Sequence, residues 1–228
     1  MYKESLKHLI KIPVKADLTF YLAVAILIYF QGFAAGIMYS ILFLSALIVH
    51  EYAHAFSGIQ AGLKVKFIEF NALGAATTFD TKEPLYDNEK GLTIALAGPI
   101  ASAIYLCMSA AVNIFFHNSM SAFFLGMNVL IIIINMLPVL TFDGGLALFI
   151  LLKKNIGKDK AIDVCYKFSI IICLIAIICS IIFSIYIITF LAVIAWFCAS
   201  IFRKVVIAYP CNDSTMLSSV TKDLKISR

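Results

Sequence analysis

The residues best suited to chemistry are five consecutive positions, His50-Glu51-Tyr52-Ala53-His54. On a helix, residues four apart share a face, so His50 and His54 can present two imidazoles to one metal ion. Glu51 beside them could take a proton from a water molecule on that metal, which is the arrangement of zinc hydrolases. The alternative is a buried polar contact between helices. Three such groups at metal-ligand spacing favour a metal site.

A third metal ligand is expected elsewhere, because catalytic zinc takes three protein ligands and leaves one position for water. Asp143 is the candidate. It follows Pro138, which lacks a backbone N–H and ends or kinks a helix, and it precedes Gly144 and Gly145, which allow a sharp turn. We therefore predict a broken helix with Asp143 at the break. The alternative role for Asp143 is to cap the helix that follows it.

The composition places these groups in a membrane. The 228 residues are 62% hydrophobic and 14% charged, with a mean hydropathy of +0.99, whereas about a quarter of a soluble domain is charged. The net charge of +5 does not indicate nucleic-acid binding, because the basic residues flank apolar runs. The six cysteines form no CxxC pair, so we predict neither a disulfide framework nor a cysteine metal site.

The apolar runs predict an all-α polytopic membrane protein with about six transmembrane helices. The expected crossings are residues 18–31, 36–62 and 91–116, a broken segment from 120 to 152, and two helices within 165–202 that turn near 180–184. Four crossings with re-entrant pieces are the alternative. The partly alternating stretch from Phe67 to Gly74 predicts a short membrane-associated β-hairpin or strand between the second and third helices.

The positive charges predict the orientation. All 18 Lys and Arg residues lie in segments that an even number of crossings places on one side, namely 1–17, 63–90, 152–167 and 203–228. Such an excess marks the cytosolic side, and the small size and plain layout favour a prokaryotic cytoplasmic membrane. We expect one domain over residues 1–228, with a cytosolic N-terminal segment 1–17 and a tail 204–228. At about 1.5 Å per helical residue, His54 and Asp143 both lie roughly 12–14 Å below the inner surface.

These motifs resemble the site-2 protease family of intramembrane zinc metalloproteases. The HExxH of that family matches His50 to His54, and its NxxPxxxxDG motif matches Asn135, Pro138, Asp143 and Gly144 at full spacing. The triplet Ala97-Gly98-Pro99 is also similar to the family. Two positions depart from the family pattern: Phe142 stands where Leu is common, and Ser102 stands where an Asn often follows the triplet.

The resemblance implies zinc as the cofactor, with His50, His54 and Asp143 as ligands and Glu51 as the general base. Asn135 is implied as an auxiliary residue that could hydrogen-bond the substrate or the developing oxyanion; an interhelical hydrogen bond is its alternative role.

The predicted function is therefore intramembrane endopeptidase activity, by Glu51-assisted attack of zinc-bound water on a membrane-protein substrate. A role in regulated intramembrane proteolysis is expected, with the regulatory partner left open. The stretch from Phe67 to Gly74 is predicted to pair with an unwound substrate strand, and a membrane-surface hairpin without a substrate role is the alternative. The alternative function is a polytopic metal-ion transporter or metal sensor, which Glu51→Gln would distinguish.

Overall fold

The computed structural model describes residues 8–71, 74–81, 84–87, 89–184 and 186–208. Its helices are α1 (Leu18–Gln31), α2 (Phe33–Gln60), α3 (Gly91–Phe116), α4 (Ser119–Met136), α5 (Asp143–Ile156), α6 (Lys158–Ile182) and α7 (Tyr186–Ala208). Its strands are β1 (Val14–Ala16), β2 (Lys64–Asn71) and β3 (Gly74–Asp80). A 3-10 turn, Leu85–Asp87, precedes α3. This mostly helical architecture with a small sheet confirms the predicted fold class.

Within the described residues, five helices are long and apolar enough to cross a membrane, which makes the chain an integral multi-pass membrane protein. They are Phe33–Gln60, Gly91–Phe116, Ser119–Met136, Lys158–Ile182 and Ile188–Ala208. The predicted first crossing forms as α1, an apolar helix of 14 residues, which is about 21 Å long at 1.5 Å per residue and so shorter than a bilayer core of about 30 Å. The predicted side of each terminus stays a prediction, and residues 1–7 and 209–228 lie outside the described residues.

The helix predicted to break before Asp143 does break there. Helix α4 ends at Met136, the backbone of Leu137 is extended, and α5 begins at Asp143. A Cβ on Gly144 would overlap the Met136 carbonyl, so a larger residue would push the two segments apart. The N-cap of α5 is Phe142, which makes no side-chain capping bond. The Asp143 carboxylate is therefore not the N-cap of α5, and its contacts lie elsewhere.

The sheet has the order β1-β2-β3, with β2 and β3 forming the predicted antiparallel hairpin. Strand β1 adds to β2 in parallel, with Val14 opposite Ile68 and Ala16 opposite Phe70, and the sequence did not predict it. Residues 68–70 are therefore bonded on both sides, and the predicted pairing of the stretch from Phe67 to Gly74 with a substrate strand stays a prediction. The edge strands of the sheet are β1 and β3.

Small residues allow the hairpin to lie close to α2. The ring of Phe79 on β3 occupies the space that a Cβ on Gly58 of α2 would need. Ile68 and Phe70 of β2 are buried in a cluster with Leu47 and Ala55 of α2. The five described cysteines are all free. The sheet is thus packed directly against the helix that bears the histidine pair.

Candidate metal centre

Three side chains from α2 and α5 converge on one point. The Nε2 atom of His50 lies 3.0 Å from Oδ2 of Asp143, and Nε2 of His54 lies 3.2 Å from the same oxygen. The two Nε2 atoms are 3.1 Å apart. Ligand atoms held about 2.0–2.1 Å from a tetrahedral zinc ion lie about 3.3 Å from one another. The spacing of these three atoms therefore fits a zinc ion.

The outer nitrogens of both rings bind the protein, which fixes how the inner nitrogens are presented. His54 Nδ1 lies 2.7 Å from the Ile94 carbonyl oxygen. Since a carbonyl only accepts, Nδ1 donates, and in the neutral ring Nε2 then presents its lone pair. His50 Nδ1 lies 2.9 Å from the Ser102 hydroxyl. With His50 Nδ1 donating to the Ser102 oxygen in the same way, two nitrogen lone pairs and a carboxylate oxygen point to one position, which is a donor set for a divalent cation.

Helix α3 supplies these supports from a single face. Ile94, Gly98 and Ser102 are spaced four residues apart, so they lie in line along the helix. Gly98 lies directly beneath the two rings: a Cβ there would overlap His54 Nε2 and come within 2.7 Å of His50 Nε2. The glycine of the Ala97-Gly98-Pro99 triplet therefore lets α3 approach the histidine pair closely enough for Ile94 and Ser102 to bind the outer nitrogens.

Glu51 lies beside the candidate metal ligands and is only 5% exposed. Its carboxylate accepts a hydrogen bond from the Thr77 hydroxyl of β3, with 2.8 Å between Oγ1 and Oε2. Glu51 opens onto a cavity of about 210 Å³ that His50, His54 and Asp143 also line. That volume exceeds the roughly 30 Å³ share of one water molecule several-fold, so a peptide group and a water could enter together.

Asn135 lines the same cavity from the last turn of α4. Its Nδ2 donates to the Ile131 carbonyl of its own helix at 3.0 Å, so this bond is intrahelical rather than interhelical. The predicted role of Asn135 toward a substrate stays a prediction.

The structure thus brings all five sequence-predicted site residues to one cavity. Sequence reasoning missed three residues that support them: Ile94, Ser102 and Thr77. In the sequence, Ser102 stands out only as a departure from the family pattern. Ser102 is four residues from Gly98, so the two share one face of α3. That spacing is the signal that could have placed Ser102 on the face of α3 that meets the histidine pair.

The described part of the chain is a polytopic helical membrane fold in which a two-histidine helix meets a broken helix at a buried candidate metal centre. The chain is similar to Site-2 Protease from Methanocaldococcus jannaschii, with a TM-score of 0.62 and 22% sequence identity. The match covers 83% of this chain and 89% of that chain. At this identity the likeness is one of fold, and at that level it confirms the predicted resemblance. Neither a scan against protein-family models nor a search of curated proteins finds a match.

Proposed function

We propose that the protein is an intramembrane zinc endopeptidase that cleaves a peptide bond within or near the transmembrane segment of a membrane protein. The observation that supports this most is the convergence of His50, His54 and Asp143 beside Glu51, in a cavity that apolar helices and strand β3 line together. Ionisable side chains at such depth are costly unless they have a partner and a function. A metal ion would be the partner of His50, His54 and Asp143, and proton transfer would be the function of Glu51.

His50, His54 and Asp143 would bind the metal, and neighbouring groups fix the orientation of the two histidine rings. The Ile94 carbonyl and the Ser102 hydroxyl orient the two imidazoles through their Nδ1 atoms. Such outer partners commonly change metal affinity 10- to 100-fold when removed. When bound, zinc would supply a water molecule of lowered pKa and polarise the scissile carbonyl.

Glu51 moves the proton. Its carboxylate takes a proton from the attacking water and returns it to the leaving amine, a role that general bases fill in peptide hydrolysis. The low exposure of Glu51 excludes competing water from the carboxylate. Asn135, on the cavity wall, is placed to hydrogen-bond the substrate carbonyl.

A transmembrane substrate must be unwound before its amide can react, because a helix hides its backbone groups. The free edge of β3 offers a row of backbone groups to an unwound chain. Ala75, Ala76 and Thr77 of that strand line the cavity. An adjoining groove of about 470 Å³, formed by largely apolar side chains of α5 and α7 and sharing Asp143 with the cavity, suits the side chains of a membrane substrate.

The positive-inside pattern supports a cytosolic location for both termini and for the hairpin, in a prokaryotic cytoplasmic membrane. Cleavage would then occur in the cytosolic half of the bilayer. Substrates of this class are single-span proteins or small membrane peptides, and release of their cytosolic part would be the outcome.

The test compares purified wild type with Glu51→Gln in proteoliposomes. The probes are single-span reporter peptides with a Leu/Ala-rich segment, a Gly-Pro unwinding pair stepped through its cytosolic half, and a flanking fluorophore and quencher. We expect Glu51→Gln to retain zinc and to lower cleavage by about 10²- to 10⁴-fold, the usual contribution of a general base. A zinc chelator should abolish cleavage by wild type, and added zinc should restore it.

Glu69→Gln is the matched control, because Glu69 lies on β2 outside the cavity lining. Cleavage that survives both Glu51→Gln and chelation would rule out the mechanism. The same preparations distinguish the alternative of a metal-ion transporter or sensor: zinc uptake into the vesicles that persists in Glu51→Gln, without cleavage by wild type, would favour transport.

A further inference from the structure

We propose that Thr77 is a positioning residue for Glu51, and that it couples the edge strand β3 to the general base. The inference rests on the proposed peptidase function and deepens it, because it names the element through which substrate binding reaches the proton-transfer step. The contact is specific: the Thr77 hydroxyl lies 2.8 Å from Glu51 Oε2 and 3.1 Å from the Glu51 backbone carbonyl.

The strand holds this hydroxyl in place through its alternation. Successive side chains of a strand point to opposite faces, so Ala75, Thr77 and Phe79 share the face toward α2. Phe79 packs into the space left open by Gly58, and Thr77 bonds Glu51, which lies two turns earlier on the same helix. Two contacts therefore fix β3 along α2, one apolar and one polar.

The hydrogen bond determines which carboxylate oxygen is available for chemistry. A hydroxyl has one proton to donate. Donated to Oε2, it holds that oxygen toward β3 and leaves Oε1 free for the attacking water. Without the hydroxyl, the carboxylate of Glu51 could rotate about its last side-chain bonds. A misplacement of about 1 Å at a reacting group lowers turnover by up to about 100-fold.

Substrate binding and the position of Glu51 become linked through this strand. An added strand bonds the backbone of β3 and leaves its side chains where they are. Pairing would restrain β3 and hence Thr77. The base would then be best ordered when a substrate strand is in place, and the loss of Thr77 should lower kcat more than it raises KM.

The experiment uses full-length Thr77→Val, which keeps the β-branched shape and removes the hydroxyl, and Thr77→Ser, which keeps the hydroxyl. Thr93→Val on the exposed first turn of α3 controls for the substitution itself. Kinetics use the reporter peptides described above, and zinc content is measured on every preparation. We expect Thr77→Val to lower kcat about 10- to 100-fold with KM within twofold and zinc unchanged. Thr77→Ser should restore most of kcat.

A second readout needs no substrate. Amide hydrogen exchange of β3, followed by mass spectrometry, should accelerate in Thr77→Val and remain near wild type in Thr77→Ser and Thr93→Val. Unchanged exchange in Thr77→Val would overturn the proposed tether even without activity data. A kcat equal to wild type, or a rise in KM alone, would overturn the positioning role. Failure of Glu51→Gln to affect cleavage would instead overturn the peptidase function, and this inference with it.

Discussion

Two parts of the molecule are built from similar apolar helices but use their polar residues differently. Around the candidate metal centre, polar groups of α2, α3 and α5 bond across helices, as His50 does with Ser102 and Asp143. In the pair α6 and α7, the polar side-chain contacts between the helices are separate pairs, Tyr166 with Ser200 and Ser180 with Thr189. The charged contact of that pair, Arg203 with Asp163, lies at the exposed end of the helices.

The difference shows that composition decides membrane location but does not decide function. Apolar composition places both regions in the membrane, because only helices satisfy their backbone groups there. Function depends on whether several polar side chains also converge on one point between helices, as His50, His54 and Asp143 do. Variants matched between the two regions can test this comparison.

The largest effect is expected from removing the carboxylate ligand. Asp143→Ala leaves two ligands, so zinc content should fall below about a tenth of the wild-type value, since changes to outer partners alone already reduce affinity 10- to 100-fold. Zinc per protein, measured by mass spectrometry of the metal, checks this. Asp163→Ala in α6 is the counterpart and should keep its zinc; equal zinc in the two variants would break the comparison.

The next effect is expected at Gly98, where α3 touches the histidine rings. A methyl group there overlaps His54 Nε2 and crowds His50 Nε2, so Gly98→Ala should weaken zinc binding at least as much as losing an outer partner, about 10- to 100-fold. Gly126→Ala in α4 is the control, because a Cβ at that position meets no atom within 4 Å. Competition with a calibrated chelator gives both affinities, and equal values would contradict the close contact.

Ser102→Ala sharpens the comparison within a single helix. It removes the partner of His50 Nδ1 and should lower zinc affinity about tenfold, the lower end of the range for such partners. Ser109→Ala, two turns further along α3, removes a buried hydroxyl that donates to the Leu106 carbonyl of its own helix. It should leave zinc affinity unchanged. If both serines mattered equally, convergence would not be the relevant property.

The smallest effect is expected at the exposed end of α6 and α7. Arg203→Gln removes a pair whose side chains are 36% and 51% exposed, and such surface pairs contribute about 0–1 kcal/mol. Thermal unfolding in detergent should shift by a few degrees at most, with zinc content and cleavage unchanged. A loss of zinc would show that this pair supports the metal centre after all.

The sequence was sufficient for the features that depend on local spacing. His50 and His54 are four residues apart on a helix, and Pro138 with Gly144 marks the break that exposes Asp143. The roles of Ser102 and Thr77 depend on how α3 and β3 are rotated against α2, which no local pattern specifies. Strand β1 has only three residues and pairs with β2 some fifty positions later, so its signal is too short to recognise. The shortness of α1 was also predictable from the sequence, because the apolar run that forms this helix ends at Gly32.

The parallel addition of β1 has a consequence for where a substrate would be cut. Because β1 already pairs with β2, the edge strands are β1 and β3, and β3 is the edge whose residues line the cavity. A chain that enters the cavity by strand addition would therefore follow the track along β3. A slip of one residue along that track turns every side chain to the opposite face, whereas a slip of two restores the same facing. The sheet would therefore act as a ruler with a step of two residues, and alternative cleavage products should differ in length by even numbers.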